Sequence, residues 1–76
     1  MLDVSEVSKR SGQPASTLRY YEERGLIQSA GRRGLRRLYE PQVLERLALI
    51  ELGRAAGFSL DALRGLFKTR AGLNKD

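Results

Sequence analysis

The chain has 76 residues, a formal net charge of +5, and neither cysteine nor histidine. One small domain is the limit, and disulfides, thiolate or imidazole metal sites, haem ligation and histidine-based nucleophilic triads are excluded. The basic balance points instead to a polyanionic partner, of which nucleic acid is the commonest.

Asp3 suits an N-cap, and Val4 and Val7 stand at helical spacing. A first helix is expected over Val4 to Ser11, closed by Gly12 in a left-handed conformation. A second is expected from Pro14 to Arg24, because proline at the first helical position gives up an N–H that has no partner there. Leu18 and Tyr21 supply its inward face, with Tyr20 as a further option, and Gly25 stops it.

The stretch "QSAGRRGLRRLYE" has no helical pattern. It is expected to form a β-hairpin in which Leu26 to Gln28 pairs with about Arg36 to Leu38, around a basic loop. Pro41 then opens a third helix with an apolar stripe at Val43, Leu44, Leu47 and Ile50, ended by Gly57. Gly53 interrupts that pattern only mildly. Ser59 caps a fourth helix carrying Leu60, Leu63 and Phe67 inward, weakened by Gly65.

The fold class is mostly α with a small β-hairpin, in the order helix, helix, hairpin, helix, helix. One domain is expected over residues 1–68, with 69–76 as a polar, fraying tail. The apolar runs are too short for a membrane span or a signal-peptide core, so the cytoplasm is the expected location.

Val7, Ser8, Gly12, Leu18 and Tyr21 stand at helix-turn-helix spacing. A small residue is needed where two short helices cross, a positive backbone angle is needed in the turn, and apolar residues lock the second helix onto the first. That second helix can then enter a major groove. A plain two-helix corner shares this pattern. A strand pair with a basic tip after it makes a winged helix-turn-helix, with Arg32, Arg33, Arg36 and Arg37 placed to follow a sugar-phosphate backbone; a solvated charge run is the plainer reading. Ser16, Arg19 and Tyr20 share one face of the second helix. Tyr21, about 100° further round, belongs to the core. Glu22 and Glu23 repel phosphate and should face away, paired with Arg24 or the wing arginines.

The stretches "VSEVSKRSGQPASTLRYYEERGLI" and "RRLYEPQVLERLALIELGRAAGFSLDALRGLF" closely resemble the DNA-binding domain of the MerR family of bacterial transcription regulators. The resemblance implies a winged helix-turn-helix with a second helix pair. It implies contacts to double-stranded promoter DNA from Ser16, Thr17, Arg19 and Tyr20 on the recognition helix. Arg36, Arg37 and Tyr39 correspond to wing and post-wing contacts, and the segment around Gly57 to Ser59 to a second element touching the flanking backbone. It further implies a homodimer and an indirect action on RNA polymerase through a bent, untwisted promoter spacer.

Two positions depart from the family pattern: Ser16, where a basic residue is common, and Gln13, where a small aliphatic one is usual. The family's long dimerisation helix would begin where residues 69–76 lie, so the expectation is an excised domain, monomeric as it stands. No cofactor, metal or enzymatic activity is expected. The alternatives are an excisionase-like architectural DNA-bending protein of a phage or plasmid, and a module that grips an acidic protein.

Overall fold

A computed structural model of the chain describes the backbone of residues 1–74 and the side chains of residues 1–68. Seven elements follow in order: β1 (Leu2–Asp3), α1 (Val4–Ser11), α2 (Ala15–Glu23), β2 (Gly31–Arg33), β3 (Arg36–Tyr39), α3 (Val43–Ala55) and α4 (Leu60–Asn74). The three strands form one antiparallel sheet in the order β1-β3-β2. No helix of the described residues is long and apolar enough to cross a membrane.

The helix boundaries follow local chemistry. Asp3 caps α1 by accepting from the Glu6 amide at 2.9 Å. Gly12 closes α1 at φ +75° and turns the chain toward α2. Pro14 sits one position earlier than expected: it is the N-cap of α2, and its carbonyl accepts from the Leu18 amide at 3.1 Å. At the far end of α2 the Gly25 amide donates to the Glu22 carbonyl and the Leu26 amide to the Tyr21 carbonyl. This double closure points Leu26 back under the helix, where it is buried. The Ser59 hydroxyl caps α4 by accepting from the Ala62 amide at 3.1 Å. That helix continues past Lys68 to Asn74, where a fraying tail was expected. Residues 75 and 76 lie outside the described residues.

The wing differs from the expected hairpin. Its first strand is Gly31–Arg33 and not Leu26–Gln28, with Arg32 opposite Arg37 and Arg33 opposite Arg36. Gly34 and Leu35 form a two-residue turn. Gly34 has φ +63° and Leu35 a negative φ, the backbone signature of a turn that wants glycine first. Leu26 and Ile27 are unavailable as strand residues because both are buried in the core. The third strand, β1, was not expected; it pairs Leu2 with Tyr39 and Asp3 with Leu38. It shields the inner edge of a ribbon that would be marginal alone.

One core joins every layer. Val7, Leu18, Tyr21, Leu26, Ile27, Tyr39, Val43, Leu47, Ile50 and Leu63 are buried together. Leu49 and Leu52, on the opposite side of α3, are exposed.

At Gly53, α3 meets α4 so closely that a Cβ there would overlap the Leu63 side chain. At Gly65 a Cβ would meet nothing. Helix propensity alone favours alanine at both positions by roughly 1 kcal/mol. Gly65→Ala is expected to raise the melting temperature by about 4–8 °C, whereas Gly53→Ala, overpacked against buried Leu63, should lower it. Paired thermal melts check this, and a rise of similar size in both variants would contradict the close α3–α4 approach.

Candidate nucleic-acid interface

The corner between α1 and α2 is held by named contacts. The Ser8 hydroxyl donates to the Gln13 carbonyl at 2.6 Å, so the small residue at the crossing also ties down the turn. Gln13 turns toward α3 and donates from Nε2 to Glu51 at 2.8 Å. The Tyr21 hydroxyl lies 3.5 Å from the same carboxylate and accepts from Arg54 at 3.3 Å. With Leu18 and Tyr21 buried, the rotation of α2 about its axis is set.

That rotation leaves Ser16, Arg19 and Tyr20 exposed and Thr17 half-buried. Tyr20 is 47 % exposed, against 1 % for its neighbour Tyr21. Two adjacent tyrosines therefore do different work, one as a presented phenol and one as core.

The wing arginines divide. Arg32, Arg33 and Arg36 are exposed, and Leu35 at the tip is fully open to solvent. Arg36 makes a solvent-exposed pair with Asp3 at 3.1 Å, which screening leaves weak. Asp3 is held below the usual carboxylate range, first by the Glu6 amide that it caps and then by Arg36. Arg37 is different. Its guanidinium is half-buried and forms an ion pair with Glu22 at 2.9 Å. The Glu22 carboxylate raises the Arg37 pKa above its ordinary value.

Arg37 and Tyr39, expected as wing and post-wing contacts, are both engaged by Glu22. Tyr39 is a core residue, 1 % exposed, whose hydroxyl donates to Glu22 at 2.8 Å. β3 alternates its side chains, so Tyr39 shares a face with Arg37, and there it packs into the core with Val7, Leu18 and Tyr21. The third ligand of Glu22 is the Ser29 hydroxyl, donating at 3.3 Å. Glu22 of the recognition helix is therefore the anchor of the wing. It binds the face of β3 that carries Arg37 and Tyr39, while Arg36 lies on the opposite face. Arg24, the other partner open to Glu22 or Glu23, pairs instead with Asp61.

Burial pushes the Tyr39 hydroxyl up to about 12, helped by the Glu22 carboxylate that it donates to and opposed by Arg37. A raised pKa in the folded state means that the neutral hydroxyl stabilises the fold fully below the unfolded value of about 10. That contribution, about 2–3 kcal/mol for a shift of this size, is lost as pH rises through about 12. Denaturant titrations should show a stability difference between wild type and Tyr39→Phe that is constant from pH 7 to about 9 and moves in favour of the variant between about 10 and 12. A difference unchanged to pH 12 would mean that Tyr39 ionises without penalty.

Arg54 was not singled out in the sequence. It lies near the end of α3, exposed, with its guanidinium on the Tyr21 hydroxyl, which raises its pKa. The only signal was a basic residue three positions before Gly57, and nothing local tied it to α2.

Similarity to known proteins agrees with this geometry. The profile of the family described as MerR HTH family regulatory protein matches residues 2–70. The chain is 41 % identical over 59 residues to an HTH-type transcriptional activator SoxR homolog of Chromobacterium violaceum, covering 78 % of this chain and 40 % of that protein. It is 35 % identical over 71 residues to the HTH-type transcriptional regulator ZntR of Escherichia coli, covering 92 % of this chain and 50 % of the relative. The crystal structure of the transcription regulator PbrR691 from Ralstonia metallidurans in complex with lead(II) superposes with a TM-score of 0.83 at 35 % identity. That match covers 93 % of this chain and 56 % of the other. The chain thus spans about half the length of these relatives. Regulators on every side do not favour an excisionase-like architectural protein, and family membership carries the non-enzymatic reading. A glycine-hinged helix pair, an arginine wing and a second helix pair, matched over nearly the whole chain, place it in the MerR family as a winged helix-turn-helix DNA-binding domain.

Proposed function

We propose that this domain binds promoter DNA sequence-specifically, with the N-terminal half of α2 in the major groove and the wing along the adjoining backbone. Ser16, Thr17, Arg19 and Tyr20 meet the groove; Arg32, Arg33 and Arg36 meet phosphates. Arg37 and Tyr39 serve from behind, by fixing the wing through Glu22. The observation that carries this reading is the outward face of α2. Arg19 and Tyr20 are presented to solvent on a helix whose other side is locked into the core. No carboxylate pairs with Arg19 among the described residues.

In the intact protein the domain acts in pairs, one per half-site of a pseudo-palindromic promoter, and influences RNA polymerase by distorting the spacer. The protein works in the cytoplasm. A single domain binds one half-site weakly because it cannot combine two half-sites into one event.

Selection from a random pool of duplex DNA, followed by anisotropy titration across 50–200 mM KCl, tests the reading. A recurrent half-site and an affinity that falls steeply with salt are expected. A pool that stays random through repeated rounds would reject sequence-specific binding.

A further inference from the structure

Glu22 is the one carboxylate on the recognition helix with three partners outside that helix: Arg37 at 2.9 Å, Tyr39 at 2.8 Å and Ser29 at 3.3 Å. Arg37 and Tyr39 share a single oxygen, Oε1, while Ser29 takes Oε2. A planar guanidinium on one oxygen anion with hydroxyls beside it is how such a side chain would also meet a phosphate. The pair is only 30 % and 21 % exposed, so water screens it less than the open Arg36–Asp3 pair at 63 % and 32 %.

We propose that Glu22 stands in for a phosphate. It keeps Arg37 on the protein, so that the wing binds the DNA backbone through Arg32, Arg33 and Arg36 only, at an angle to α2 set by the Glu22 cluster. This rests on the DNA-binding reading and deepens it, because it assigns Glu22 a role in specificity. Sequence-independent affinity grows with every cation free to displace counterions. Base readout does not. A masked Arg37 therefore lowers binding to arbitrary DNA while the locked wing preserves the register needed for a particular site. Glu22 is a positioning residue in this account, and it touches no DNA.

The salt dependence of binding separates this from a merely structural role. The probe is a random-sequence 25-base-pair duplex, titrated with the 76-residue chain from 50 to 200 mM KCl. Each phosphate contact contributes about 0.9 to the slope of log K against log salt. Arg32→Gln should flatten the slope by about that amount. Arg37→Gln, which keeps a donor for Glu22, should leave it at the wild-type value. Glu22→Gln should steepen it by about 0.9 and raise affinity for the random duplex several-fold. The double variant Glu22→Gln with Arg37→Gln should return to the wild-type slope.

Glu23→Gln removes the same charge from the neighbouring exposed position and controls for the general field. A slope for Glu22→Gln equal to that of Glu23→Gln, or an Arg37→Gln slope as flat as that of Arg32→Gln, overturns the proposal. Should a variant not fold by circular dichroism, side-chain Nε–Hε signals of the wild type decide. On adding duplex, those of Arg32 should shift and that of Arg37 should stay; equal shifts overturn the proposal. A wild type that binds no duplex at all instead rejects the DNA-binding reading beneath it.

Discussion

Leu18→Ala is expected to remove a large share of the domain's stability. Leu18 is 0 % exposed and stands where α2 is keyed into the core beside Val7 and Tyr21. Truncating a fully buried leucine costs about 2–5 kcal/mol, from lost transfer energy and the cavity left behind. A domain of this length has roughly 4–11 kcal/mol of stability in total. Neither disulfide nor metal ligation by cysteine or histidine can compensate, since the chain has neither residue. Denaturant unfolding at constant m-value measures the loss directly. A deficit below about 1 kcal/mol would mean that the corner collapses into the gap, and the locking of α2 would have to be assigned elsewhere.

One residue further along, the opposite outcome is expected. Arg19→Ala should leave stability within about 0.5 kcal/mol of wild type, since the side chain is exposed and joins no ion pair among the described residues. Binding to a selected half-site should fall by about 1–3 kcal/mol, roughly 5- to 150-fold, through loss of a fork that can grip a base edge. Random-sequence DNA should suffer much less. If both affinities drop equally, Arg19 is a phosphate contact, and base readout must come from Ser16, Thr17 or Tyr20. The contrast between residues 18 and 19 is the helix at work: a step of about 100° carries the chain from core to open surface.

Much of the domain is legible along the chain. Four helices sit near their expected places, and caps at Asp3, Gly12 and Ser59 are those that the residue types suggest. The stripe at Val43, Leu47 and Ile50 is buried as its spacing requires. The outward Tyr20 and inward Tyr21 follow from the same periodicity. All of these are short-range properties. A capping side chain reaches only three residues, and a helical face is settled by its own repeat.

Several of the misplacements involve partners distant in sequence. Leu26 and Ile27 look like strand residues until the closure after α2 folds them under the helix, which moves the first wing strand to Gly31–Arg33. Leu2 and Asp3 carry no strand signal by themselves; they become β1 because Leu38 and Tyr39 present an open edge beside them. Arg36 and Arg37 are equivalent in the string of letters, yet only Arg37 meets Glu22, fifteen positions earlier. Gly53 reads as a mild weakness, and the approach of Leu63 leaves no room for a Cβ unless that side chain shifts.

Local order along the backbone was thus written in residue type and spacing, including which helix could present arginine and tyrosine to a groove. Which charges stay free to meet a phosphate was decided by chain segments brought together from afar, because a carboxylate neutralises whichever cation the finished fold places beside it.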